Sequence, residues 1–251
     1  MLPVTAMEAI VCWRTLFNEF IMSIKMQFQI VPGSKEEIAY QHYHFKRLKF
    51  AFEKAIQYAK GAILEIGPYT ITYNLIKNGF NVDTLGYLSE GVKGVNKHIE
   101  FDLDSLGKGG HHFIKGNYNL VIIAEVIEHL HLDLDRILRQ LWELTSSQGV
   151  VIIQTPNATA LKKRMAMIAG KNPFQMIIDD YRPGYGGHLR EFTRKELKTY
   201  SEKNGFEVLE LHTLNYFDYS HSYKARLYKL FSNKLPQLLR DGVTIILKKP
   251  V

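Results

Sequence analysis

The sequence predicts an α/β fold, a doubly wound and mostly parallel sheet of seven strands. Three observations predict it. Short apolar runs suited to strands covered on both faces recur along the chain, the clearest being Asn119–Ala124 and Gly149–Gln154. Segments with helical periodicity separate them, as βαβ units require. The first such unit, Gly61-Ala-Ile-Leu-Glu-Ile-Gly-Pro-Tyr-Thr70, is a strand, a glycine turn and a helix start, the arrangement that offers backbone N–H groups to a ligand.

The elements follow in order. Residues 35–60 predict a lead-in helix with Phe45, Leu48, Phe52, Ile56 and Ala59 on one stripe. A strand at 62–66 is followed by a helix at 70–78, which Gly79 ends. Residues 81–85 and 98–101 are the next two strands, and 119–124 is the central one. A helix carrying Leu134, Ile137, Leu138, Leu141 and Leu144 leads to the strand 149–154, which Thr155-Pro156-Asn157 should stop. Residues 158–192 break the rhythm with a basic helix, two prolines and several glycines, and are expected to form a lid over the carboxyl edge of the sheet. Thr193 and Glu196 then spell a capping box, with Phe192 and Leu197 spaced for a hydrophobic staple. That helix ends at Gly205, and the strands 206–211 and 243–247 are expected to pair antiparallel at the edge. The domain is taken to span 35–251, with 1–34 an apolar helical extension available for membrane contact or association.

Composition narrows the class. With 46% hydrophobic and 23% charged residues the chain has the make-up of a globular protein. No apolar run approaches the roughly 20 residues of a transmembrane helix. Cys12 is the single cysteine, so no intrachain disulfide forms, and a cytoplasmic location is expected. The formal charge of +7 is scattered, which argues against a nucleic-acid footprint. Two nucleotide sites are also excluded. No Lys-[Ser/Thr] pair closes the first turn as in a P-loop, and Tyr69 and Thr70 stand where a Gly-x-Gly-x-x-Gly motif would place further glycines. One glycine beside Glu65 suits a ligand with a positive charge and a ribose.

Several segments together resemble a class I S-adenosylmethionine-dependent methyltransferase, in a small-molecule group similar to the ubiquinone-biosynthesis O-methyltransferases and to enzymes of polysaccharide and glycolipid clusters. They are Leu64-Glu-Ile-Gly-Pro68, Tyr118-Asn-Leu-Val-Ile-Ile-Ala-Glu-Val-Ile-Glu-His-Leu130, Thr155-Pro-Asn157 and Gly187-His-Leu-Arg-Glu-Phe-Thr193. The resemblance runs from about residue 40 to 249 and implies a Rossmann-like methyltransferase fold with S-adenosylmethionine as cofactor. It implies that Glu65 faces the cofactor's ammonium, that Gly67, Pro68 and Tyr69 form the turn beneath it, and that Asp102 and Leu103 hold the adenine. Ala124 and Glu125 would line the methionine side. The family's ribose-binding acid is missing, because Gly86 and Tyr87 occupy its neighbourhood; Tyr87 or Glu90 would serve instead. His129, His188 and Glu128 are the catalytic candidates, an imidazole beside a carboxylate being suited to take a hydroxyl proton.

The acceptor implied is a small molecule or lipid-linked sugar. Two alternatives stay open: a degenerate binding protein, suggested by Gly86 and Tyr69, and a metal-assisted RNA 2′-O-methyltransferase. The latter rests on Glu125, Glu128 and His129, which share a face if helical and with His188 would suit magnesium or manganese. No resident metal is expected, since the same Glu–His pair occurs in resembling enzymes that use none.

Overall fold

The computed structural model describes residues 26–87, 93–107, 112–174, 187–216, 232 and 234–251. Residues 1–25, with Cys12, together with Glu90 and the centre of the expected lid (175–186), lie outside the described residues.

Seven strands form one sheet: β1 (Ile63–Ile66), β2 (Val82–Gly86), β3 (Lys97–Glu100), β4 (Tyr118–Ala124), β5 (Thr145–Pro156), β6 (Glu207–Leu214) and β7 (Gly242–Lys248). Their spatial order is β3-β2-β1-β4-β5-β7-β6. The first five are parallel, and β7 runs antiparallel between β5 and β6. The last two strands therefore pair antiparallel as expected, with β6 at that edge of the sheet and β7 inside it. Six helices accompany them among the described residues: α1 (Lys35–Tyr43), α2 (Phe45–Tyr58), α3 (Thr70–Lys77), α4 (Leu134–Leu144), α5 (Leu161–Ile168) and α6 (Arg194–Lys203).

The period of two along each strand divides the core between the faces. Ile63, Leu120, Ile122, Val150, Ile152 and Ile246 pack with Leu48, Ala51, Phe52 and Ala55 of α2 and with Ile71 and Leu75 of α3. Their neighbours Leu64, Ile66, Val121, Ile123, Val151 and Ile153 pack on the other face with Ile137, Leu138, Leu141 and Leu144 of α4 and Leu197 of α6. Each such buried Val, Leu, Ile or Phe side chain contributes about 1.5–3 kcal/mol. The whole predicted stripe of α4 is buried, and its N-cap Asp133 accepts from Arg136 N at 2.8 Å. The predicted capping box of α6 is present, with Thr193 and Glu196 exchanging bonds of 2.8 and 3.1 Å. Phe192 and Leu197 are both buried in the same cluster.

Three local expectations need correction. The lead-in helix is two helices, broken at His44, whose backbone leaves helical geometry (φ −99°, ψ 7°). Its buried stripe is Arg47, Leu48, Ala51, Phe52 and Ala55, about one residue from the predicted line. β5 does not stop before Thr155 but continues through Pro156, because β7 pairs with it to Gly242 and a terminal proline removes no needed donor. Residues 26–31 lie against the domain: the Asn74 side chain exchanges hydrogen bonds with Gln29, and the Phe28 ring stands 5.5 Å from that of Phe52.

A candidate methyl-transfer site at the carboxyl edge of the sheet

β1 and β4 are neighbours whose following connections leave toward opposite sides of the sheet, so a crevice opens above their carboxyl ends. Gly67 stands at its lip with φ +73° and donates to Leu85 O at 3.0 Å. A Cβ there would lie 2.6 Å from Val126 Cγ2, so any other residue fails on conformation and on space. Glu65 is buried below, where its carboxylate accepts from the Thr72 hydroxyl of α3. Burial raises its pKa to about 8, which keeps it protonated at neutral pH until a cation approaches.

Farther along the edge, β2 ends at Gly86, and Asp102 follows β3. The Tyr87 hydroxyl donates to Asp102 Oδ1 at 2.5 Å, and Asp104 N donates to the same oxygen at 2.8 Å. Two residues named separately from the sequence thus form one unit. Gly86 has no steric need to be glycine, because an added Cβ would meet Pro68 Cδ at an ordinary 3.6 Å. Leu103 is buried in the core, which leaves its backbone as the part able to face the crevice. Tyr69 caps α3 beside α1, where burial and the Glu37 carboxylate raise its pKa.

The β4–β5 side is built from side chains. Ala124 ends β4, and Glu125 turns with φ +56°, an uncommon conformation for a residue with a side chain. Its carboxylate forms an ion pair with buried Arg47 of α2, whose Nη2 also donates to the Tyr40 hydroxyl at 2.8 Å. A single 3-10 turn, Ile127–His129, follows. The expected common helical face of Glu125, Glu128 and His129 is therefore not formed; the left-handed residue turns Glu125 toward α2 and leaves the other two together.

The end of the expected lid folds back onto this turn. Leu189 N donates to Glu128 O at 2.8 Å, and His129 Nδ1 meets Gly187 O at 2.9 Å, so this nitrogen carries the proton and donates. His188 is brought alongside, its ring centroid 5.0 Å from that of His129, with Nδ1 on Glu191 Oε1 at 3.0 Å. Lys163 of α5 pairs with the other Glu191 oxygen. Burial, helped by His129 and Lys163, lowers the His188 pKa to about 4 and keeps the ring neutral. Glu128 is wholly buried; its Oε2 accepts from Thr155 Oγ1 at 3.0 Å, and burial raises its pKa. A cavity of about 430 Å³ opens over this group, between Tyr40, Tyr43 and Arg47 on one side and Lys162, Lys163 and Glu191 on the other. A larger hollow of about 760 Å³ over α6 and β6 includes none of these residues.

The strand order, the crevice above β1 and β4, and the acid-before-glycine turn define the class of S-adenosylmethionine-dependent methyltransferases, whose methyl donor is the cofactor expected from the sequence. The chain belongs to the methyltransferase-domain family, whose model matches residues 38–211. Solved structures share the fold. An S-adenosylmethionine-dependent methyltransferase from Archaeoglobus fulgidus is 17% identical (TM-score 0.52), the match covering 84% of this chain and 99% of that one. One from Clostridium acetobutylicum is 14% identical (TM-score 0.54), covering 83% and 92%. The N-methyltransferase NodS from Bradyrhizobium japonicum, solved with S-adenosyl-L-homocysteine, is 9% identical (TM-score 0.50), covering 83% and 88%. No curated protein matches the chain at significance. Among the described residues no helix is long and apolar enough to cross a membrane.

His129, His188 and Glu128, named together from the sequence, are neighbours in the fold. Arg47, Glu191, Thr155 and the Lys162–Lys163 wall were missed. Arg47 carried a signal, since it stands four and eight residues before Ala51 and Ala55 on a face too small and apolar for a solvated arginine. The others are ordinary polar residues in sequence and meet only through the fold.

Proposed function

We propose that the protein transfers the methyl group of S-adenosylmethionine to a hydroxyl of a small polar acceptor, of the sugar or glycolipid type. Glu65 would hold the cofactor's ammonium, Gly67 would let its methionine segment pass close to the backbone, and the Tyr87–Asp102 pair would hold its nucleoside end. Held there, the cofactor would supply an activated methyl group to an acceptor in the cavity beside His129. Transfer would form the acceptor's C–O bond at the expense of the donor's C–S bond, with the acceptor hydroxyl giving up its proton. With Nδ1 committed to Gly187 O, Nε2 of His129 is the acceptor atom on hand for that proton.

The single observation that carries the hydroxyl reading is the cavity lining. Phenols, imidazoles, ammonium groups and carboxylates surround about 430 Å³, a set that hydrogen-bonds a polyol on several sides. In a cellular setting such an acceptor could be soluble or lipid-linked, and a cytoplasmic location fits both. The test is incubation with methyl-labelled S-adenosylmethionine and paired panels of glycosides, glycolipids and amines, followed by mass spectrometry of labelled products. Label in alkali-stable methyl ethers of the sugars is the expected result. Label confined to amines would overturn hydroxyl transfer while leaving the cofactor assignment standing.

A further inference from the structure

Three groups at the base of the acceptor cavity converge without finishing their own bonding. One ligand atom from each of Glu128, His129 and His188 lies within 4.8 Å of the others. Both imidazoles spend Nδ1 on an oxygen of the returning lid segment, His129 on a backbone carbonyl and His188 on a carboxylate. Each ring therefore turns an Nε2 lone pair away from its anchor. Fixing one ring nitrogen on an oxygen is how proteins orient an imidazole ligand and raise its basicity. Glu128 Oε1 is the independent sign: the residue is 0% exposed, Oε2 is held by Thr155, and Oε1 has no hydrogen-bond partner. A buried carboxylate oxygen left unmatched is costly unless something cationic satisfies it. The nearby cations are already matched, Arg47 with Glu125 and Lys163 with Glu191.

We propose that Nε2 of His129, Nε2 of His188 and Oε1 of Glu128 bind one divalent first-row transition cation, such as Mn²⁺, Co²⁺ or Zn²⁺. Two imidazoles with one carboxylate favour these ions over the all-oxygen preference of Mg²⁺ or Ca²⁺. Glu125 is outside the set because Arg47 holds it. Three protein ligands leave open positions toward the cavity, where an acceptor oxygen can bind and lose its proton to solvent more readily. With the ion bound, both Nε2 atoms are ligands and the proton goes to solvent; without it, Nε2 of His129 remains the proton acceptor. The binding site stands by itself; only this role rests on the proposed hydroxyl transfer.

The full-length chain, stripped with chelator and dialysed, is titrated with CoCl₂ under optical absorption and with MnCl₂ by calorimetry. One equivalent should bind saturably, with ligand-field bands for cobalt. Glu128→Gln and His188→Ala, checked for folding by circular dichroism, should each weaken binding by about tenfold or more, while His44→Ala, a histidine of the same cavity outside the set, should not. Absence of saturable binding to folded protein, or binding that survives both substitutions, would overturn the site. S-adenosylhomocysteine titrated into the same samples keeps the two readings apart, because cofactor binding does not need the ion.

Discussion

The two halves of the carboxyl edge are built on different principles. Over β1, β2 and β3 the site is largely backbone and one-residue turns: Gly67, the end of β2 at Gly86, and the Tyr87–Asp102 pair. Over β4 and β5 it is an assembly of charged and ring side chains drawn from positions 47, 125, 128, 129, 163, 188 and 191. The first half suits a ligand whose shape is fixed. The second is an assembly whose parts depend on one another. Substitutions should therefore act locally in the first half and collectively in the second.

The largest effect is expected where that dependence is strongest. Arg47→Met removes the cation paired with Glu125 and leaves a mostly buried carboxylate uncompensated, a loss of about 3–5 kcal/mol by the usual cost of breaking a buried pair. Urea unfolding measures it, and a loss no larger than that of a surface pair would break the comparison. Gly67→Ala comes next. Its φ of +73° and the clash with Val126 should cost about 1–3 kcal/mol and abolish measurable cofactor binding, read by thermal unfolding and titration together.

Glu65→Gln sharpens the comparison through pH. Burial raises the Glu65 pKa from 4.5 in the unfolded chain to about 8 in the folded protein. The folded-state pKa is raised, so the stabilising contribution is complete below 4.5 and is lost as pH climbs through about 8. The glutamine variant should remove that part of the slope in a series of urea curves. It should also remove the proton that the wild type releases near pH 7 when the cofactor's ammonium arrives, seen as a dependence of binding heat on buffer ionisation enthalpy. The smallest effects belong to the nucleoside end. Gly86→Asp, for which there is room, should tighten S-adenosylhomocysteine binding several-fold by supplying the missing acid; Tyr87→Phe should weaken it by the ~0.5–1.5 kcal/mol of one hydrogen bond.

The same contrast explains what could be read from the sequence. The strands, α4, the Thr193–Glu196 box and the Gly67 turn are encoded by neighbours within a few residues, and all were legible. Periodicity also revealed α2, although His44 broke the longer helix and shifted its buried face by one residue. The Tyr87–Asp102 bond joins residues across parallel strands and was visible only as two separate candidates. Arg47 with Glu125 and Lys163 with Glu191 are tertiary pairs that no local pattern announces. Even the Glu-x-x-Glu-His run misled in part, since a single left-handed residue, Glu125, separates its first carboxylate from the other two groups.

The central claim is that this edge holds S-adenosylmethionine, and calorimetric titration of the folded wild-type chain with S-adenosylmethionine and S-adenosylhomocysteine tests it most directly. Saturable one-to-one binding of both in the micromolar range, lost in Gly67→Ala, is the predicted result. No binding of either up to millimolar ligand would contradict it.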